Sequence, residues 1–264
     1  MNCELVILGS GNLATQLSMA LKSAGWSVRL VYSPTMEHAQ ELAEKLDCKY
    51  TSDISGIYAN ADAYIVSVKD DAVESVAARL KDHINPNATI IHTAGSVPMK
   101  ALHNHFCNCG VLYPMQSFSK SRKVNFKEIH CFLEASCNKA MTLIRQLAES
   151  ISDNIHCADS ETRKRIHLAA VLASNLANHC YRLGERVLEE TGIDFNILLP
   201  LIQETARKVT EMSPREAQTG PMVRYDTGVM SRQIELLHDE RTRQIYRLMA
   251  ESIHDDNNNK KTKK

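Results

Sequence analysis

The sequence lacks an excess of charge of either sign, because its 31 lysine and arginine residues match its 31 aspartate and glutamate residues. A neutral chain provides no global field that would attract nucleic acid or an anionic membrane surface. No run of eighteen apolar residues occurs, which excludes a membrane-spanning helix. These absences favour a small-molecule substrate over a nucleic acid or a membrane as the partner.

The sequence also lacks any Cys-x-x-Cys pair, although it contains 8 cysteines. Scattered cysteines are typical of reduced thiols that pack as small hydrophobic residues, so a disulfide scaffold is not expected. No basic segment precedes the first apolar run, which is short and ends at Gly9. We therefore expect a strand there, and a cytoplasmic protein.

Short β-rich runs alternate with helical stretches over residues 1–158. Strands are predicted at 3–8, 27–32, 47–51, 63–68, 88–93, 110–114, 129–135 and 154–159. Helices are predicted between them at 12–24, 35–46, 71–82, 97–104 and 138–151. This alternation predicts a Rossmann-like, doubly wound α/β domain with a mostly parallel sheet and helices on both faces.

From residue 159 the helical period replaces the strand alternation. Apolar stripes predict helices at 160–191, 194–212 and 228–254, and hence an all-α helical domain over 159–254. Residues 255–264 contain no apolar side chain and are predicted to form a disordered tail. Long helices on a small domain leave apolar stripes uncovered, so we expect a homodimer through this domain.

The first strand is followed by Gly9, Gly11 and Ala14, spaced as in a G-x-G-x-x-A turn. Such a turn lets the backbone approach a pyrophosphate, which the helix N-terminus then attracts. The pattern predicts dinucleotide binding, with Asn12 and Leu13 at the start of the helix; a purely structural turn is the alternative.

The end of the second strand indicates which dinucleotide is bound. An acidic residue there would bind the ribose 2′-hydroxyl of NAD, whereas this chain has Ser33 and Thr35, with Pro34 between them. Hydroxyl groups without a carboxylate favour NADP, and NAD is less probable. Two further strand ends, at 67–72 and 92–96, are expected in the same crevice unless they are ordinary turns; their predicted cofactor contacts are Ser67, Val68, Thr93, Ala94 and Gly95.

Polar residues interrupt the apolar helix at 165–181. On a helical projection, four polar side chains fall within about 60° of one another: His167, Ser174, Asn178 and Tyr181. Asn175 lies at the edge of this stripe. Leucines lie on the opposite side and are predicted to face the helical bundle. Neutral polar side chains in one stripe are typical of a semi-buried ligand cleft, although a neighbouring helix or a dimer mate would also satisfy them.

No metal site is expected, and the alternating His and Cys residues at 103–109 are a weak zinc candidate.

Two loops have more than one interpretation. The basic segment 119–128 is either a solvated loop or an attractor for phosphate or carboxylate groups. In the segment 217–228, Arg224 and Asp226 either pair with each other or contact substrate.

The chain resembles, over roughly residues 5 to 250, the NADP oxidoreductases that combine a Rossmann-like N-terminal domain with a helical C-terminal domain of uncharacterised function. The matching stretches are "GSGNLA", "VYSPT", "HTAGS", "LYPMQSFSK", "IHLAAVLASNLANHCY", "LLPLIQET" and "AQTGPMVRYD". More distantly, the chain is similar to pyrroline-5-carboxylate reductases, deazaflavin-dependent NADP reductases and prephenate dehydrogenases.

The resemblance implies a cofactor at Gly9, Gly11, Asn12 and Leu13, with Ser33 near the adenine ribose. It also implies a substrate side that contains Tyr113, Pro114, Gln116, His167 and Asn175. The chain departs from the family pattern at Pro34, where an arginine is common, and at Gln233, where a histidine is expected.

These features together predict an NADP-dependent oxidoreductase that transfers a hydride between nicotinamide and a small imine or carbonyl substrate in an interdomain cleft. We assign His167 and Asn175 to catalysis, since an imidazole exchanges protons near neutral pH. The substrate side is predicted to contain Tyr113, Gln116, Asn178 and Arg224. A catalytically silent NADP-binding sensor or scaffold is the alternative, because a fold does not fix a function.

Overall fold

The computed structural model describes residues 3–258, which divide into two compact units between Asn175 and Leu176. The first unit contains an eight-stranded sheet and the second is helical. The predicted succession of a mostly parallel α/β region and a helical region is therefore confirmed. The predicted boundary at residue 158 lies at the end of the sheet, whereas the compact units divide later, within the helix that follows.

The sheet has the strand order of a doubly wound fold. Its strands are β1 (Glu4–Leu8), β2 (Ser27–Tyr32), β3 (Lys49–Thr51), β4 (Ala63–Val66), β5 (Thr89–His92), β6 (Cys109–Pro114), β7 (His130–Ala135) and β8 (Asn154–Cys157). They lie in the order β3-β2-β1-β4-β5-β6-β7-β8, and only β6 and β7 pair antiparallel. The order reverses between β1 and β4, where such sheets bind ligands at the carboxyl ends of their strands.

Helices cover both faces of the sheet. They are α1 (Asn12–Ser23), α2 (Met36–Leu46), α3 (Val73–Leu80), α4 (Lys100–His103) and α5 (Asn138–Ile151), and α6 (Ser160–Ala170) follows the last strand. Buried residues of α1, α2 and α5 form one core cluster, and those of α3 and α4 form a second. The central strand residues 5–8 and 63–66 are buried without alternation, as expected when a parallel sheet is covered on both sides.

The long helix predicted at 160–191 has an interruption that its apolar period does not indicate. The carboxylate of Asp159 caps α6 by accepting from the Thr162 N–H at 2.7 Å. A π-helical segment, Val171–Leu176, then leads into α7 (Ala177–Glu189). Because i→i+5 bonding widens the turn, residues there advance by less than the 100° of an α-helix. The predicted angular positions therefore hold only up to Val171.

The second unit contains more helices than the sequence predicts. After α7 they are α8 (Leu199–Glu211), α9 (Pro214–Ala217), α10 (Pro221–Arg224), α11 (Thr227–Glu235) and α12 (Glu240–Asn258). The single helix predicted at 228–254 is wrong, because Asp239 accepts from the Thr242 N–H at 3.0 Å and starts a new helix. The first part of the predicted disordered tail, 255–258, is helical, and residues 259–264 lie outside the described part of the chain.

The second unit has almost no interior of its own. Of its described residues, 176–258, only Ala250 is buried. Three leucines were predicted to face a helical bundle, but Leu168, Leu172 and Leu176 are 59%, 56% and 51% exposed. That prediction is therefore wrong within the single chain. No helix between residues 3 and 258 is both long and apolar enough to cross a membrane.

Candidate functional site

The turn between β1 and α1 needs glycine at two positions for different reasons. Gly9 has φ +119°, and a Cβ there would lie 2.0 Å from the Ser67 carbonyl oxygen. Gly11 is the N-cap of α1, and a Cβ there would meet no protein atom within 4 Å. The N-terminus of α1 is therefore open to an approaching group, and its N–H groups favour an anion.

A crevice of about 830 Å³ opens at the carboxyl ends of β1, β2, β4 and β5. This volume lies within the ~300–1,000 Å³ of ordinary ligand sites. All eleven predicted cofactor residues line it, namely Gly9, Gly11, Asn12, Leu13, Ser33, Thr35, Ser67, Val68, Thr93, Ala94 and Gly95. Tyr113, Pro114, Gln116 and His167 also line it. The open N-terminus of α1 at Gly11 fits a dinucleotide phosphate; the individual cofactor contacts stay predictions.

Buried hydroxyl groups join neighbouring strand ends of the crevice. Ser10 Oγ donates to Ser33 Oγ at 2.9 Å, which links the glycine turn to the end of β2. Thr93 Oγ1 donates to Ser67 Oγ at 3.1 Å, which links the ends of β5 and β4. These bonds hold the predicted ribose and nicotinamide sides in fixed positions before any ligand arrives.

A fully buried histidine shapes the turn after β5. The Ala94 N–H donates to His92 Nδ1 at 3.2 Å, so the ring accepts at this nitrogen. Burial, and then the charge of Arg163, lower the pKa of His92 to about 3. His92 is therefore neutral at physiological pH and holds the Ala94–Gly95 backbone.

His167 and Tyr113 form a hydrogen-bonded pair in the crevice wall. The Tyr113 hydroxyl lies 3.0 Å from His167 Nδ1, and the two rings meet edge to face. Burial raises the pKa of Tyr113, and Asp70 raises it further. A Cβ on Gly95 would lie 2.6 Å from His167 Nδ1, so the glycine provides the space that the imidazole occupies. The pair combines a proton donor and acceptor at one point beside the predicted cofactor residues.

A buried ion pair fixes the helix that carries His167. The guanidinium of Arg163 is fully buried, pairs with the carboxylate of Glu134 on β7, and donates to the Val97 carbonyl at 2.5 Å. Ser160 Oγ bonds the same carboxylate at 2.9 Å and accepts from the Met99 N–H at 3.0 Å. These contacts tie the first turn of α6 to the segment after Gly95, one helical turn before His167.

The structure adds ionisable residues that the sequence analysis did not name, although Lys69 and Asp70 lie in the segment 67–72 that it placed in the crevice. His38, Lys69, Asp70 and Arg79 line the crevice, and Ser96 Oγ donates to Asp70. Lys69 and Asp70 directly follow the end of β4, so their position after a central parallel strand was the available signal. His38 and Arg79 lie inside helices, and only the folded topology brings them to the crevice.

Three predicted site residues are not among the crevice residues. Asn175 is exposed in the π-helical segment, whose wider turn changes its direction from the predicted one. Asn178 and Arg224 are residues of the second unit, and their substrate contacts stay predictions. Asp226 caps α11 by accepting from the Val229 N–H at 3.1 Å, so its structural role is capping rather than an ion pair with Arg224.

Two remaining motifs have local structural roles. In 103–109, Cys109 Sγ lies 3.8 Å from His103 Nδ1, and no group of three or more metal-ligating side chains occurs within residues 3–258. In the basic loop, Gln16 Nε2 donates to the Ser119 and Arg122 carbonyls at 2.8 and 3.0 Å. These two bonds attach the loop to α1.

Comparison with known proteins agrees with both halves of this architecture. Residues 4–95 match the family described as NADP oxidoreductase coenzyme F420-dependent, and residues 129–253 match a domain of unknown function, DUF2520. A crystal structure of the putative NADP oxidoreductase BF3122 from Bacteroides fragilis is 42% identical, with a TM-score of 0.92 over 96% of this chain and 98% of that one.

More distant structures share the fold. Protein TM1727 from Thermotoga maritima is 23% identical, with a TM-score of 0.71 over 97% of this chain and 99% of that chain. A pyrroline-5-carboxylate reductase from Coxiella burnetii is 15% identical, with a TM-score of 0.59 over 98% of each chain. No curated protein sequence matches.

Proposed function

The chain belongs to the family of the putative NADP oxidoreductase BF3122 from Bacteroides fragilis. We propose that it reduces a small imine or carbonyl compound with NADPH. The observation that carries the proposal is the His167–Tyr113 pair in the wall of the same crevice as the glycine turn. The crevice thus combines a cofactor cradle with a group able to transfer a proton.

The choice of NADP rests on the end of β2. Ser33 and Thr35 line the crevice there, and neither places a carboxylate beside the predicted ribose. A carboxylate at this position would repel a 2′-phosphate, whereas hydroxyl groups donate to it. The glycine turn and the N-terminus of α1 hold the pyrophosphate in this proposal.

Bound NADPH supplies the hydride, and the chain's own residues supply the proton. When Tyr113 donates to His167 Nδ1, the ring carries its hydrogen on Nε2 and presents it to a substrate oxygen or nitrogen. The carbon accepts the hydride and the heteroatom accepts the proton from Nε2, while Nδ1 takes the proton of the Tyr113 hydroxyl, so that the ring stays neutral. Solvent then returns a proton to Tyr113. Arg163 and Gly95 keep the imidazole in place during this step.

The test is NADPH oxidation by the full chain over a panel of aldehydes, ketones and cyclic imines, together with calorimetric NADPH affinity. His167→Ala is expected to lower turnover by about 100-fold or more, within the ~10²–10⁴-fold range of general acid catalysis, while NADPH affinity stays within about twofold. Tyr113→Phe should lower turnover less, because the histidine remains. Tyr50→Phe, on the exposed β3, is the matched control.

Unchanged turnover in His167→Ala would refute the assignment of the proton donor. Tight NADPH binding by the wild-type protein without oxidation by any panel compound would instead favour the sensor or scaffold. The predicted role of Asn175 is tested in the same assay, where Asn175→Ala should reduce turnover if its amide binds substrate.

The helical unit further supports a homodimer. Leu201, Leu236 and Leu248 are 63%, 69% and 66% exposed in a unit with a single buried residue between 176 and 258. A second copy of the same unit carries the same exposed leucines, and pairing of the two units would bury these side chains. Light scattering at micromolar concentration should give the mass of two chains, and a monomer would contradict this proposal.

A further inference from the structure

The end of β2 supplies hydroxyl groups to a dinucleotide but no cation. Ser33 is 4% exposed and its hydroxyl accepts from Ser10, while Pro34 is the next residue. Thr35 is the N-cap of α2 but makes no side-chain capping bond, so its hydroxyl remains available. A phosphate monoester carries close to two negative charges at neutral pH and is normally held by arginine or lysine. Hydroxyl groups alone would leave that charge uncompensated.

Two basic side chains line the crevice from helices on opposite faces of the sheet. His38 lies in the first turn of α2, whose buried residues join one core cluster. Arg79 lies in the last turn of α3, whose buried residues join the other. Within residues 3–258, neither His38 nor Arg79 lies within ion-pair distance of a carboxylate. Both are therefore free to contact an anionic ligand.

Helix α2 starts directly after β2, and buried residues of α3 share a core cluster with Leu30 and Tyr32 of β2. Strand β1 lies between β2 and β4, α2 follows β2, and α3 follows β4 after a short 3-10 turn at Asp70–Ala72. Ser75 and Val76 of α3 line the crevice together with Arg79, so one face of this helix is turned toward it. The only carboxylate in the lining is Asp70, which accepts from Ser96. Outside the lining, the Asp53 carboxylate interacts electrostatically with Arg79 but forms no ion pair with it, so a phosphate would not have to displace a bound carboxylate.

We propose that Arg79, assisted by His38, binds the 2′-phosphate of NADPH and so replaces an arginine at position 34. The guanidinium presents parallel N–H donors that match phosphate oxygens, and the imidazole adds one more. This inference rests on the proposed function for the presence of the dinucleotide. It adds that selectivity for the phosphorylated cofactor comes from α3 and α2 rather than from the residue after Ser33.

The experiment measures binding without turnover, by calorimetry on the full chain. The probes are adenosine 2′,5′-bisphosphate against adenosine 5′-monophosphate, and NADPH against NADH. Arg79→Gln is expected to weaken both 2′-phosphorylated probes about tenfold, as for loss of a charge-assisted bond, and to change NADH and the monophosphate less than about twofold. Arg79→Lys should recover part of the loss, and His38→Gln should show a smaller loss of the same selectivity.

Lys69→Gln is the matched control, because it removes one positive charge from the same crevice at the end of β4. It should change the affinities for NADPH and NADH by the same factor. Equal losses for Arg79→Gln and Lys69→Gln, or an unchanged NADPH to NADH ratio in Arg79→Gln, would overturn the inference and leave dinucleotide binding intact. A wild-type protein that binds neither dinucleotide would refute the proposed function as well.

Discussion

Glu134→Gln tests whether the buried ion pair stabilises the base of α6. The substitution keeps the size and one acceptor oxygen of the side chain but removes the charge that balances Arg163. The guanidinium is 0% exposed and the Glu134 side chain is 16% exposed, so water cannot replace the lost partner. Breaking a buried pair in this way costs about 3 kcal/mol of unfolding free energy. At about 2–4 °C per kcal/mol, Tm should fall by roughly 6–12 °C.

The control residue, Glu161, lies in α6, the helix that also carries Arg163. Glu161 pairs with Lys164 at 2.8 Å, but its side chain is 78% exposed, so Glu161→Gln should cost less than about 0.5 kcal/mol. Both variants are compared with the wild type by calorimetric unfolding and by denaturant titration. Equal losses in the two variants would refute the argument that burial makes the Arg163–Glu134 pair important.

Three further predictions concern individual positions. Gly95→Ala places a Cβ 2.6 Å from His167 Nδ1, so the ring must shift and turnover should fall about 100-fold while calorimetric NADPH affinity persists. Gly11→Ala meets no protein atom and should keep its Tm, but its NADPH affinity should weaken where the phosphate approaches. Burial lowers the pKa of His92 to about 3 in the folded protein. The unfolded chain therefore takes up this proton first, and the wild type should lose stability as pH falls from about 6.5 toward 3. Titration of unfolding free energy should show a smaller slope in this window for His92→Asn, and an identical slope would contradict the linkage.

The sheet and the crevice were predictable because their signals are local and repeated. Continuous apolar runs such as residues 5–8 and 63–66 identify buried parallel strands, and strand order then brings their carboxyl ends together. The glycine spacing located the turn, and the strand ends located other residues that line the crevice. The unusual polar composition of one helix predicted that His167 faces a cleft, and the structure places it in the crevice lining, whereas its catalytic role stays a prediction.

Other features depend on contacts that one sequence does not display. The π-helical segment Val171–Leu176 is a change in backbone hydrogen bonding, which leaves no mark on the apolar period. The break before α12 was missed because Leu236 and Leu237 continue the apolar stripe, although Asp239 is a capping residue. The position of Arg79 in the crevice requires the packed sheet. The exposure of Leu168 shows that an apolar stripe does not by itself establish burial within the chain.

The most direct test of the account is a thermal-shift titration of the wild-type chain with NADPH and with NADH. A ligand at about 100 times its Kd stabilises the folded state by about 2.7 kcal/mol. This corresponds to a rise in Tm of roughly 5–10 °C for a chain of this size. The account predicts this rise with NADPH and a smaller rise with NADH at the same concentration. No shift with either dinucleotide would contradict the assignment of the crevice.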